Sequence, residues 1–274
     1  MAWIPPGPAW LFCPADRPER YAKAAETADV AIIDLEDAVA AAGKPAARES
    51  LVASALDIDR TVVRVNAHGT EDFALDLQAL SKTGYRRVML AKTESASQLN
   101  DLADYDVVVL IESPLGAVDV QQIVRAPNVV GTMWGAEDLV AALGGNSSRF
   151  ADGRYRDVAA HVRTSTLLAA KARGLFALDS VVLDIGDLDT LRAEADDAVA
   201  VGFDGKVAIH PSQVQVIRDA FAPTADEINW ATGVLDVAAS GKGVFTFEGK
   251  MVDAPVLRQA ERIMQRAATR HLGP

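Results

Sequence analysis

The sequence predicts an α/β fold, a TIM (β/α)8 barrel with a C-terminal helical extension and lid segment. Three observations lead there. Short apolar, β-branched runs alternate with helical segments from Leu11 to Pro211 without interruption. Several of these runs stop abruptly in charge, most clearly Val30-Ala31-Ile32-Ile33-Asp34-Leu35-Glu36-Asp37. The chain has 274 residues, half of them hydrophobic, which is enough for one large core.

The elements follow in order. Leu11-Phe12-Cys13 is the first strand, and after Pro14-Ala15-Asp16-Arg17-Pro18 a helix runs from about Glu19 to Ala28. The run ending in Asp37 is the second strand, and Pro45 suits the first turn of a helix over Lys44 to Leu56. Thr61 to Asn66 is the third strand, rich in β-branched residues with Arg64 as an unusual guest, and a helix from Asp72 to Lys82 follows. Arg87 to Lys92 and Asp106 to Ile111 are strands flanking a helix at Ala96 to Ala103. Ser113-Pro114 caps and opens a helix to Val124, and Val129 to Trp134 runs as a strand into Gly135-Ala136-Glu137-Asp138. Gly144 to Gly153 is a polar loop of the kind that covers sites, and a helix from Tyr155 to Arg173 follows it. Ser180 to Asp184 and Lys206 to Ile209 supply the last two strands, separated by a helix from Leu188 to Val201. An open doubly wound sheet would share this alternation; eight near-evenly spaced strands favour closure. We expect the barrel to occupy residues 1–222. The extension, 223–274, holds helices at Ala225 to Ala239 and Pro255 to Arg270 around a Gly-rich segment, Gly241 to Lys250.

Composition narrows the function. A formal net charge of -11 with no long cationic run argues against nucleic acid as the partner. The single cysteine, Cys13, excludes an intrachain disulfide and a cysteine-based metal site, and fits a reducing cytoplasm. Met1 to Pro8 lacks the marks of a signal peptide, and no apolar run reaches membrane-spanning length, so a cytoplasmic protein is expected.

On a barrel the residues just after each strand share one mouth. Here they are Glu36, Asp37, Arg64, Lys92, Glu112, Asp138, Asp184 and His210. Carboxylates from several strands, with no cysteine or histidine cluster, suit a hard divalent cation, Mg²⁺ before Mn²⁺. Mg²⁺ takes one or two protein carboxylates and keeps waters, and Glu112 with Asp138, ending successive strands, is the pair expected to converge. Glu36 and Asp37 are neighbours and diverge if their strand persists. A single such acid is as easily a solvated residue or a helix cap; four together are not. Arg64 must meet an anion, either a ligand or Glu36 or Asp37. Gly135-Ala136 offers backbone N–H groups to a carboxylate. Lys92 is either a Schiff-base lysine or, as the acids around it favour, an ion-pairing one. His210 serves equally well as a loop anchor. His68, His161 and His271 have no evident partners, and Cys13 reads as a small core residue.

The motifs together resemble the citrate lyase beta-subunit-like family of the HpcH/HpaI aldolase superfamily. They are Leu11-Phe12-Cys13-Pro14, Asp34-Leu35-Glu36-Asp37-Ala38-Val39 with Lys44 and Ala47-Arg48, Val63-Arg64-Val65-Asn66, Ala91-Lys92, Ile111-Glu112, Gly135-Ala136-Glu137-Asp138-Leu139, Gly202-Phe203-Asp204-Gly205-Lys206, Ile209-His210-Pro211-Ser212-Gln213 and Gly249-Lys250-Met251-Val252-Asp253. The resemblance implies a homotrimer or dimer of trimers that binds Mg²⁺ and makes or breaks a carbon–carbon bond between a 2-keto acid and acetyl-CoA. It implies Glu112 and Asp138 as metal ligands, and Arg64 against the substrate's oxygens. Gly135, Ala136 and Glu137 would complete the substrate's surroundings, and Glu36 and Asp37 would hold metal-bound waters and orient Arg64. Asp253 would be the acid/base on a lid reaching a neighbouring subunit's site, and CoA would meet Phe12, Arg17, Lys23 and Pro211. Cys13-Pro14-Ala15 stands where many relatives have Val-Pro-Gly, and Ala91 stands where proline is usual. The C-terminus is shorter than in similar malyl-CoA lyases, which points to citramalyl-CoA-like substrates. Three activities fit: a stand-alone acyl-CoA lyase, a malate synthase or thioesterase at the same site, and a beta subunit active only within a citrate lyase complex.

Overall fold

Eight parallel strands close into a barrel in chain order, with β1 hydrogen-bonded to both β2 and β8. They are β1 (Ala9–Pro14), β2 (Val30–Asp34), β3 (Thr61–Val65), β4 (Arg87–Leu90), β5 (Asp106–Ile111), β6 (Val129–Trp134), β7 (Phe176–Asp179) and β8 (Gly205–Ala208). The computed structural model describes residues 3–239 and 244–270. The head of the expected Gly-rich segment, with Gly241, lies outside the described residues, as does His271. The helices between strands are α1 (Tyr21–Thr27), α2 (Lys44–Ala53), α3 (Glu71–Leu80), α4 (Pro114–Ile123), α5 (Ala136–Ala142), α6 (Asp157–Lys171), α7 (Leu188–Val201) and α8 (Pro211–Phe221).

Side chains alternate across each strand, and that parity decides what enters the barrel. Trp10, Val30, Ile32, Val62, Val108, Leu110, Leu178 and Val207 belong to one interior cluster. Counting on by two from Ile32 gives Asp34, from Val62 gives Arg64, and from Leu110 gives Glu112. The same alternation that packs the core therefore delivers charge to its upper rim, the C-terminal ends of the strands. At the other end Trp3 covers the core edge-on, its ring 5.7 Å from those of Trp10 and Phe176.

Two expected elements differ. The seventh strand is Phe176–Asp179, not Ser180 to Asp184. Gly174, at φ 68, turns the chain out of α6 directly into Phe176, and Leu178 pairs with Gly205 of β8. Asp184 consequently falls in an exposed turn, accepting a hydrogen bond from the Gly186 amide at 2.9 Å, and Asp179 is the strand-end acid. The segment Ala96–Leu102 is a 3-10 helix rather than an α-helix, opened by a reciprocal cap between Ser95 and Gln98.

Contacts divide the chain into Met1–Ile217 and Arg218–Pro274, a division inside α8. The second unit contains α9 (Ala225–Ala238), the antiparallel hairpin β9 (Phe245–Phe247) and β10 (Lys250–Val252), and α10 (Ala254–Arg270). Glu248 and Gly249, at φ 47 and 77, make the two-residue turn of the hairpin. Ala231, Val234, Phe245, Val252, Ala260 and Ile263 form the unit's own core.

Candidate active site

Arg64 is the centre of the rim. Its Nε and Nη2 donate to the two carboxylate oxygens of Asp34 at 2.7 and 2.5 Å, a bidentate pair, and its Nη1 lies 3.2 Å from Glu36. Phe12, on the same inner face of β1, lies under the guanidinium with its ring centroid 4.6 Å from Cζ. Burial works against the charge, but Asp34 and Glu36 hold it firmly in place and push its pKa above the usual arginine range.

Glu36 or Asp37 was expected to anchor Arg64; the structure shows Glu36 in that place and adds Asp34, which the expectation did not include. Asp37 turns to Lys92, at 3.1 Å from its Nζ. Because β2 ends at Asp34, the chain is free to turn, and Glu36 and Asp37 converge on Lys92 instead of diverging. Asp34 also accepts from the amides of Glu36 and Ala38, at 2.9 and 3.2 Å, and so shapes the loop that follows it. Burial raises the Glu36 pKa against the pull of Arg64 and Lys92, whereas the hydrogen bond from Lys92 overcomes the burial of Asp37 and lowers its pKa.

Glu112 is 3% exposed, and its Oε1 accepts from the backbone N–H of Lys92 at 2.9 Å. Burial, and then the nearby negative charge of Asp138, push its pKa up to about 8. A Cβ on Gly135 would stand 2.7 Å from Glu112 Oε2, so only glycine leaves the carboxylate its room. A buried carboxyl whose charge is disfavoured, with a second carboxylate near enough to raise its pKa further, fits a hard divalent cation. Among the described residues no group of three or more His, Cys, Asp or Glu side chains is placed to hold a metal ion. Glu137, beside Asp138 on α5, is exposed and accepts from the Ser148 hydroxyl at 2.7 Å, while Ala136 is buried. Arg17 and Lys23 are exposed around the start of α1, and Pro211 opens α8. His210 Nδ1 pairs with the Ser212 hydroxyl at 2.8 Å at the start of α8, the loop-anchoring role. Asp253, in the second unit, lies between β10 and α10, where it accepts from the Val256 amide at 3.4 Å. Burial raises the Cys13 thiol to about 11, which leaves it inert.

A buried polar cluster stands behind the rim. Lys44 Nζ donates to the carbonyls of Leu35 and Glu36 at 3.1 and 3.3 Å and to the Asn66 side chain. Asn66 in turn donates to Asp76 at 2.7 Å, and Arg48 Nε donates to the other Asp76 oxygen at 2.7 Å. Lys44, Arg48 and Asn66 had no role that the sequence alone could supply, and these contacts give them one together, fixing the backbone that carries Glu36. A second cluster joins Lys206, Asp179, Arg163 and Trp134, with the Trp134 indole donating to Asp179 at 2.8 Å. By strand parity it lies on the outer face of the barrel, and it fixes the end of β6 just before Gly135.

Residues 9–211 match the family described as HpcH/HpaI aldolase/citrate lyase. The citrate lyase subunit beta-like protein of Mycobacterium tuberculosis is 59% identical over 261 residues, 95% of this chain and 96% of that one. The mitochondrial citramalyl-CoA lyase of Homo sapiens is 30% identical over 298 residues, 96% of this chain and 86% of that one. The crystal structure of the protein CitE from M. tuberculosis in complex with magnesium, acetoacetate and coenzyme A superposes with a TM-score of 0.92 at 58% identity, covering 96% of this chain and 98% of that one. A citrate lyase beta subunit of the same organism, complexed with oxaloacetate and magnesium, gives 0.79 at 61% identity, covering 79% and 97%.

Proposed function

The chain belongs to the HpcH/HpaI aldolase/citrate lyase family, and from that membership and the carboxylates of its rim we propose a Mg²⁺-dependent acyl-CoA lyase. Its substrate is a citramalyl-CoA-like or malyl-CoA-like thioester, cleaved reversibly to acetyl-CoA and a 2-keto acid. The observation that carries this reading is the buried Glu112 carboxylate, given room by Gly135 and within the electrostatic reach of Asp138 and of an immobilised Arg64. Glu112 and Asp138 would hold the cation. Bound there, Mg²⁺ supplies Lewis-acid polarisation of the keto-acid oxygens.

The chain's own residues do the rest. Arg64, already held by Asp34 and Glu36, needs no reorganisation to stabilise negative charge on the substrate's oxygens as the carbon–carbon bond breaks. Glu36 and Asp37 have oxygens on the same rim for ordered water. Gly135 and Ala136 admit the keto acid close to the backbone. Asp253, on a lid from a neighbouring subunit, donates a proton to the acetyl-CoA methyl carbon in cleavage and removes it in condensation. Arg17 and Lys23 attract the CoA phosphates, with Phe12 and Pro211 as apolar neighbours of the thioester arm. The magnesium-bound structures of similar proteins support the cation, and the relatives' names support the substrate class.

The experiment is an assay of the purified protein alone with citramalyl-CoA and malyl-CoA, with Mg²⁺ or EDTA, following keto acid and free thiol separately. Keto acid without thiol, lost in EDTA and in Glu112→Ala, is the expected result. Thiol release alongside it would make the protein a thioesterase or malate synthase, and no turnover without added subunits would make it part of a citrate lyase complex.

A further inference from the structure

Lys92 occupies a backbone conformation that its side chain disfavours. Among the described non-glycine residues only Lys92 and Glu248 have positive φ, and Glu248 is accounted for by its hairpin turn. Lys92, at φ 50, sits at the end of β4, where a glycine would be free of strain. A lysine retained there argues that the side chain is needed. Its contacts say for what. The Nζ pairs with Glu36, with Asp37 at 3.1 Å and with Asp138 at 3.6 Å, while the backbone N–H holds Glu112 at 2.9 Å. Among the contacts described, no other residue meets Glu36, Asp37, Glu112 and Asp138 together.

We propose that Lys92 is a positioning residue that acts as the site's built-in counter-cation, its ammonium drawing Glu36, Asp37 and Asp138 together while its strained backbone aims Glu112. The inference rests on the proposed metal site. It follows that the ammonium and a divalent cation share Asp138. The single charge keeps the acids converged yet leaves Asp138 weakly held, at the longest of the three ion-pair distances, so that a divalent cation can take it over. A neutral side chain at 92 would leave Asp37 and Asp138 without this counter-charge and Glu36 with Arg64 alone. The metal would then bind more tightly, because the site is more negative, but in an arrangement no longer set for turnover.

The test uses the full-length protein and two variants. Lys92→Met removes the ammonium and keeps the backbone strain; Lys92→Gly removes the ammonium, relieves the strain and keeps the N–H to Glu112. Calorimetry with Mg²⁺ alone should show affinity about tenfold tighter in both than in the parent protein. The rise in melting temperature on adding Mg²⁺ should be larger in both. Turnover should fall at least about tenfold, with Lys92→Arg recovering part of it and returning the Mg²⁺ affinity toward the parent value. A residue that merely held the fold would weaken binding and turnover together. Weaker Mg²⁺ binding in the variants, or turnover within about twofold of the parent, overturns the proposal. If Lys92→Met fails to fold, Lys92→Gly, with its relaxed backbone, carries the test. A parent protein that binds no Mg²⁺ would instead overturn the metal site itself.

Discussion

At the scale of the residue, the rim depends on one buried pair. Arg64 enters the barrel because it follows Val62 on the inward face of β3, and a guanidinium in that place must be matched or it would not be tolerated. Asp34 matches it with both oxygens, and Glu36 adds a third contact. Asp34→Ala should therefore destabilise the protein toward, but not beyond, the about 3–5 kcal/mol typical of breaking a buried pair, since Glu36 remains. Urea unfolding measures this, and turnover should fall with it because Arg64 loses its aim. An unchanged unfolding midpoint would show that Asp34 is dispensable. Glu36 and Asp37 stand out in the sequence because charge density is conspicuous, whereas the parity that puts Asp34 inside is quiet. Counting by twos from Val30 and Ile32 would have put Asp34 inside, beside Arg64.

At the scale of the element, the barrel's closure leaves little tolerance where strands meet bulky neighbours. Gly131 on β6 faces Phe176 of β7 so closely that an added Cβ would fall on the phenyl ring, and that ring is itself packed against Trp3 and Trp10. Gly131→Ala should cost about 1–3 kcal/mol by overpacking, seen as a lower urea midpoint; a neutral effect would mean that Phe176 can swing aside. The same corner explains what the sequence conceals. Seven of the eight strands, all but the seventh, were readable from apolar runs flanked by turn residues, and so was the order of the helices. The seventh was not, because Phe176-Ala177-Leu178 and Val181-Val182-Leu183 are equally apolar, and only Gly174 and the pairing with β8 choose between them. The site divides in the same way. Arg64, Glu112 and Asp138 were legible as charges at strand ends, while the Lys44, Asn66 and Asp76 cluster depends on contacts between residues as many as 22 positions apart and has no local signature.

At the scale of the whole molecule, the residues assigned to one reaction fall in two units. Glu112 and Asp138 belong to Met1–Ile217, and Asp253 belongs to Arg218–Pro274 at the head of α10. On the proposed reading the lid acid serves a neighbouring subunit, and a closed ring of identical subunits would let every barrel borrow its neighbour's lid. Mixing distinguishes this from a lid that folds over its own barrel. Asp253→Asn and Glu112→Ala are each expected to be nearly inactive, the first while still binding Mg²⁺. In co-expressed, randomly assembled mixtures, a site formed between subunits draws an intact barrel from one variant and an intact lid from the other in about a quarter of cases. Activity should then recover to about a quarter of the parent value in the mixture. If each lid serves its own barrel, no site in any mixture is whole, and the mixed protein stays as inactive as its components.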